Sequence, residues 1–344
     1  MQTDSDLYRK HPDWMLQTPG RRVSHGRYQY VLDFSRKEIV DYIYGMIAKL
    51  LSEANISYIK WDMNRSITEC YSIAYPADQQ GEIFHRYILG VYDLYERLTS
   101  AFPEVLFESC ASGGGRFEPG MLYYAPQGWG SDDSDAVERL KIQYGTSMYY
   151  PLSSMGSHVS VIPNHQVYRN TPLHTRANVA YFGTFGYELD LNKLSDAEIE
   201  EVKAQIRFMK EYRELLQFGT FYRLKSSFEG NETVWMVVNK DKTKALVGYY
   251  RVLNGVNLPY SCVKLRGLDP DKLYENELAN TEHYGDELMN LGLITTDVSA
   301  GEVPQGAEPC TDFESRIYLL KEKQDRYLDR KSTRLNSSHL SRSR

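Results

Sequence analysis

Near residue 219 the apolar pattern of this chain changes period. Before it, short β-branched and aromatic runs alternate with longer stretches whose apolar residues recur at helical spacing. "YQYVLDF" (28–34), "ISYIKWD" (56–62) and "EVLFESC" (104–110) read as strands. Ile39, Ile43, Ile47 and Leu50 mark one helix face; Ile83, Tyr87, Val91, Leu94 and Leu98 mark another over about 81–100. Ser35 and Glu38 have the S-x-x-E spacing of a capping box, as do Ser195 and Glu198 before a long helix ending near Phe218. A short helix is expected from Asp135 to Tyr144, ahead of "SMYYP". This alternation predicts parallel strands joined by crossover helices. After Gly219 the runs "FYRLKSSF", "ETVWMVVNK", "KALVGYYRVL", "SCVKLRGL" and "ESRIYLLK" are separated by turn residues such as Asn254-Gly255 and Asp269-Pro270-Asp271. They predict an antiparallel β-sandwich, with the boundary at 217–220.

Bulk properties narrow the function classes. With 344 residues, 42% hydrophobic and 25% charged, the chain has room for one large and one small domain. A net charge of -6 offers no basic surface for nucleic acid or an anionic membrane, and no apolar run approaches membrane-spanning length. Cys70, Cys110, Cys262 and Cys310 form no short-spaced pair, which argues against a zinc centre or a disulfide framework. The 28 tyrosines suit strands and sugar-binding surfaces alike. The polar N-terminus does not read as a signal peptide. The tail "DRKSTRLNSSHLSRSR" (329–344) has five basic residues, one acidic residue and no apolar periodicity. It reads as disordered, and "DRKSTRLNSSH" looks like translated sequencing adapter.

The chemically suggestive residues follow strands, where the active-site face of a (β/α) barrel lies. Lys60 and Asp62 end "YIKWD", an apparently buried strand, and at i and i+2 they share one face. They read equally as an ion pair or as an active site; Arg65 and Asn64 are further structural partners for Asp62. Gly113-Gly114-Gly115 lacks a phosphate-loop pattern but permits close approach to backbone amides. Cys110 reads equally well as buried filler. Asp132, Asp133 and Asp135 crowd a helix start, where favourable interaction with the helix dipole explains at least one of them. Glycoside hydrolysis needs two carboxyl groups, which Asp62 and one of these aspartates can supply.

"YIKWDMNR", "ESCASGGGRFE" and "GWGSDDSDAVERLKIQYGTSMYYP", with "SHGRYQYVLDFS", "VIPNHQ" and "GYELDL", resemble bacterial α-galactosidases of glycoside hydrolase family 36. The motifs occur in family order over about residues 1–325. The resemblance implies retaining hydrolysis of terminal α-linked galactose, as in melibiose or raffinose, with no cofactor and no metal. It implies Asp62 as nucleophile and Asp132, 70 residues later, as acid/base. Arg27, Lys60, Cys110 and Gly113 would meet the sugar. Gly130 and Ser134 stand where the family usually has threonine, and Tyr28 replaces a smaller polar residue. The implied fold is α/β: a partial (β/α)8 TIM barrel holding about strands four to eight, then a C-terminal antiparallel β-sandwich domain. The expected division is 1–217 barrel, 218–326 sandwich and 327–344 disordered tail. The family's N-terminal β-domain, early barrel strands and Asp-Asp-Gly-Trp motif have no counterpart in this sequence. It is therefore expected to be an inactive C-terminal fragment of an enzyme that is cytoplasmic and homo-oligomeric. The competing expectations are raffinose-synthase-type galactosyl transfer and a non-catalytic sugar-binding module.

Overall fold

The structure, a computed structural model, describes residues 1–256, 261–295 and 311–323. Cys310 and the tail 327–344 lie outside the described residues. Two compact units divide at Asp132/Asp133, so the change of period at Gly219 falls inside the second.

The first unit contains α1 (Asp6–Lys10), α2 (Lys37–Glu53), β1 (Tyr58–Asp62), α3 (Ile83–Ala101), β2 (Leu106–Cys110), α4 (Pro119–Tyr124) and β3 (Gln127–Gly128). The strands form a parallel sheet in the order β1-β2-β3. Its register sets Lys60 opposite Glu108 and Asp62 opposite Cys110. All five residues expected on the apolar face of α3 are buried. They form one cluster with Val40 and Leu51 of α2 and Phe107 of β2, and Ile59 and Trp61 of β1 pack against it. Strand alternation then turns Lys60 and Asp62 to the opposite, exposed face. The expected burial of this strand is thus corrected: one face is packed and the charged face is open.

Two local expectations also fail. Residues 28–34 form no strand; Gln29 and Leu32 make only isolated bridges. Asp33 is buried and accepts hydrogen bonds from Ser35 N, Ser35 Oγ and Ser72 Oγ, which pins this segment as irregular chain. The same bonds occupy Ser35, so α2 starts with Arg36 as N-cap and no side-chain cap. Glu38, freed from a capping role, pairs with Arg36 at 2.8 Å.

The second unit contains α5 (Ala136–Thr146), β4 (Gly156–Ser160), α6 (Leu173–Ala180), β5 (Thr184–Glu188) and α7 (Asp196–Phe218), with β4 parallel to β5. Here the capping box forms: Ser195 accepts from the Glu198 amide and Glu198 reaches back to the Ser195 amide. Next come β6 (Thr220–Lys225), β7 (Glu232–Val238), β8 (Lys244–Arg251), β9 (Cys262–Val263), β10 (Leu273–Asn276), β11 (Thr281–Tyr284), α8 (Gly285–Asn290), β12 (Leu293–Ile294) and β13 (Glu314–Lys323). Six of these strands make an antiparallel sheet in the order β11-β10-β13-β8-β7-β6. Trp235, Val237, Leu246 and Tyr250 leave one face of it to join side chains from α5, α6 and α7. Val234, Met236, Val247 and Tyr249 leave the other face to meet Val263, Leu265, Leu288 and Leu293. The second layer is the short β9–β12 pair with α8, so "SCVKLRGL" keeps only two strand residues. The fold class is α/β: a partial (β/α)8 barrel, whose described strands form a three-stranded and a two-stranded parallel sheet, followed by an antiparallel β-domain.

Candidate active site

Arg27, Lys60, Asp62, Cys110, Gly113 and Asp132 lie in the first unit, whereas Asp133 and Asp135 fall in the second. Asp62 ends β1 and is exposed. It has no ion pair with Lys60 or Arg65. Lys60 crosses to β2 instead, with Nζ 3.5 Å from Glu108 Oε1 and 4.6 Å from the centre of the Trp129 ring. Glu108 is 2% exposed; its Oε2 accepts from the Tyr58 hydroxyl and, at 2.9 Å, from Gln127 Nε2. Three strands therefore converge on one buried carboxylate, which anchors an ammonium group over an aromatic face. Sequence reasoning missed Glu108 and Trp129. The available signal was a glutamate inside the apolar run "VLFESC", where burial demands a partner.

Asn64 links Asp62 to the next loop. Its Nδ2 donates to Asp62 Oδ2 at 2.5 Å, and its Oδ1 accepts from Ser112 N and Oγ at 3.2 Å. Cys110, opposite Asp62 in the register, is buried, and its thiol is pushed up to about 11. Burial is the main cause; a hydrogen bond to the Gly113 backbone opposes it, a hydrogen bond to Asp62 and that residue's charge add to it, and the Lys60 ammonium opposes it weakly. The thiol is thus a neutral donor beside a carboxylate.

Gly113 has φ +82°, and a Cβ there would sit 2.7 Å from Ser131 Cα and 2.9 Å from Asp132 N. At Gly114 a Cβ would meet Gly130 O at 2.6 Å. The glycine run lets the loop after β2 lie against the backbone of 130–132, which is why side chains are absent there. One chain of contacts therefore runs Asp62, Asn64, Ser112, Gly113 and the Asp132 backbone. The Asp132 side chain is exposed and makes no hydrogen bond or ion pair among the described residues. Asp135 behaves differently. It is the N-cap of α5, accepting from Val137 N and Glu138 N at 3.1 Å, and it pairs with Arg169. Burial holds its carboxyl above the usual range despite these partners. The helix-cap explanation is right for this aspartate.

Arg27 is exposed at the tip of a tight turn. Gln29 N donates to Gly26 O at 2.9 Å, while Arg27 and Tyr28 have φ +51° and +59°. Two consecutive left-handed residues define a type I′ turn, ordinarily built from Asn or Gly, so each costs about 1–2 kcal/mol here. A cavity of about 270 Å³ borders Asp62, Arg65, Trp61 and Arg116. Among the described residues no cluster of metal-binding side chains and no helix long and apolar enough to cross a membrane is present.

The model of the melibiase family matches residues 1–219, and that of the glycosyl hydrolase family 36 C-terminal domain matches 232–320. Alpha-galactosidase AgaA of Geobacillus stearothermophilus is 56% identical over 290 residues, covering 84% of this chain and 40% of its own length. Alpha-galactosidase Mel36A of Lactobacillus acidophilus is 51% identical over 318 residues, or 92% and 42% of the two chains. A crystal structure of an AgaA variant with 1-deoxygalactonojirimycin superposes with a TM-score of 0.89 at 51% identity, covering 94% of this chain and 43% of that one. This chain therefore spans about two fifths of the length of the relatives it matches. By the extent of the family match and the identity to these relatives, the chain belongs to the melibiase family and carries the glycosyl hydrolase family 36 C-terminal domain.

Proposed function

We propose that the complete protein is a retaining α-galactosidase that removes terminal α-linked galactose from oligosaccharides such as melibiose and raffinose. The supporting observation is the contact chain joining Asp62, through Asn64 and Ser112, to the Gly113 loop packed on the backbone of Asp132. Relatives named α-galactosidases include structures with raffinose and stachyose bound. In this reading Asp62 attacks the anomeric carbon while the Asp132 carboxyl protonates the glycosidic oxygen of the departing group. Asp132 then takes a proton from water, which displaces Asp62 and restores the original configuration. Retaining chemistry needs the two carboxyls roughly 5–5.5 Å apart.

Lys60, held by Glu108, and Arg27 present donors to the sugar hydroxyls, and the neutral Cys110 thiol adds a weak one. The glycines at 113 and 114 leave room for close backbone approach. The barrel part is assigned to 1–217 and the β-domain to 218–326, a boundary supported by the limits of the two family matches. The assigned setting is the cytoplasm, with the protein assembled as a homo-oligomer.

Asp62→Ala in the complete gene product should abolish turnover, and azide should restore it while forming β-galactosyl azide. An α-configured azide product, or no adduct, rejects the nucleophile assignment.

A further inference from the structure

We infer that Arg65 is a positioning residue whose buried guanidinium presets the Arg27 turn for sugar recognition from a point three residues beyond Asp62. The inference rests on the reading of Arg27 as a galactose-binding group. Arg65 is 9% exposed, and a buried cation ordinarily requires a carboxylate. Asp62 is close in sequence, yet no ion pair joins the two, and no carboxylate pairs with Arg65 among the described residues. Its donors go to backbone and hydroxyl oxygens. Nε donates to Gln29 O at 3.0 Å, and one terminal nitrogen donates to Ser24 O at 2.9 Å and Thr68 Oγ1 at 3.1 Å. The other terminal nitrogen donates to Ser66 O.

The two main bonds straddle the turn. Ser24 lies three residues before Arg27 and Gln29 two residues after it, and between them Arg27 and Tyr28 adopt left-handed backbone. Such conformations persist in non-glycine residues only when their surroundings over-determine them. The guanidinium fork supplies that constraint, and Gly26 lets it approach: a Cβ there would lie 3.1 Å from Arg65 Cδ. An ammonium group cannot reproduce the planar fork, so lysine should not substitute for arginine. Ser24 is tied down further through its amide to Glu69 Oε1 at 2.8 Å and its hydroxyl to Thr68 Oγ1 at 2.7 Å. These bonds fix the base of the loop and leave the tip dependent on Arg65.

The test is hydrogen-exchange mass spectrometry of the complete protein with Arg65→Ala and Arg65→Lys, alongside galactose titration. Both variants should exchange about tenfold faster over residues 24–29, the scale of one lost charge-assisted hydrogen bond, while 106–110 stays protected. Galactose affinity should fall about tenfold in both. Adding Tyr28→Gly to the lysine variant, which removes one left-handed penalty, should recover part of the protection. Unchanged exchange over 24–29, or full rescue by lysine, overturns the clamp. Faster exchange with unaltered galactose affinity overturns its role in recognition. A wild-type protein that neither binds galactose nor cleaves galactosides defeats the functional reading of Arg27, and the exchange comparison still decides the clamp.

Discussion

Asp132 and Asp135 stand three residues apart and do different work. Asp135 is consumed by two amides and Arg169, whereas Asp132 is exposed and uncommitted. A general acid matters most for a poor leaving group. Asp132→Ala should therefore depress melibiose hydrolysis far more than cleavage of an activated aryl galactoside. Equal losses on both substrates, or a larger differential for Asp133→Ala, would move the role elsewhere. Cys110 gives a pH test of the same cluster. Burial and the Asp62 carboxylate both disfavour its thiolate, so alkylation should stay slow until the pH approaches 11. Asp62→Asn removes one of the two upward influences and should shift the onset to lower pH. An onset near that of a free thiol in the native protein would contradict the packing described here. Gly113→Ala meets both a positive φ and a backbone clash at 2.7 Å. It should cost about 2–4 kcal/mol in denaturant unfolding, because neither neighbour is a flexible side-chain tip.

At the scale of elements, the two S-x-x-E sequences make a controlled comparison. Ser195→Ala should cost about 1 kcal/mol in thermal or denaturant unfolding, because it deletes a formed cap. Glu38→Gln should change stability by less than about 1 kcal/mol, because Glu38 caps nothing and is itself exposed, although its Arg36 partner is only 12% exposed. Spacing alone could not separate the two cases; Asp33, two residues upstream of Ser35, decides between them by taking the serine hydroxyl. The same buried aspartate explains why "YQYVLDF" reads as a strand but is not one. Elements with strong periodicity were legible: the face of α3, the strands holding Lys60, Asp62 and Cys110, and the long helix to Phe218. The hairpin of β10 and β11 and the short α6 were not, because four to eight residues carry too little pattern. For the site, strand ends and motif resemblance supplied Asp62 and Asp132. Glu108, Trp129 and the Arg65 fork became visible only through cross-strand register and loop packing.

At the scale of the molecule, Arg27, Lys60, Asp62, Cys110, Gly113 and Asp132 all belong to the unit formed by residues 1–132. None of these six residues belongs to the β-domain. Trp235 is fully buried on its sheet and donates to the Tyr250 hydroxyl at 3.1 Å. Trp235→Ala should thus cost about 3–5 kcal/mol in unfolding free energy. The same variant should leave the anomeric configuration of the product unchanged, as read by proton NMR of the first-formed sugar. The central claim is that Asp62 carries the galactosyl group. It is tested most directly by treating the complete gene product with 5-fluoro-α-D-galactosyl fluoride and mapping the labelled peptide by mass spectrometry. The account predicts a single label on Asp62; a label on any other residue, or none on a protein that turns over galactosides, would contradict it.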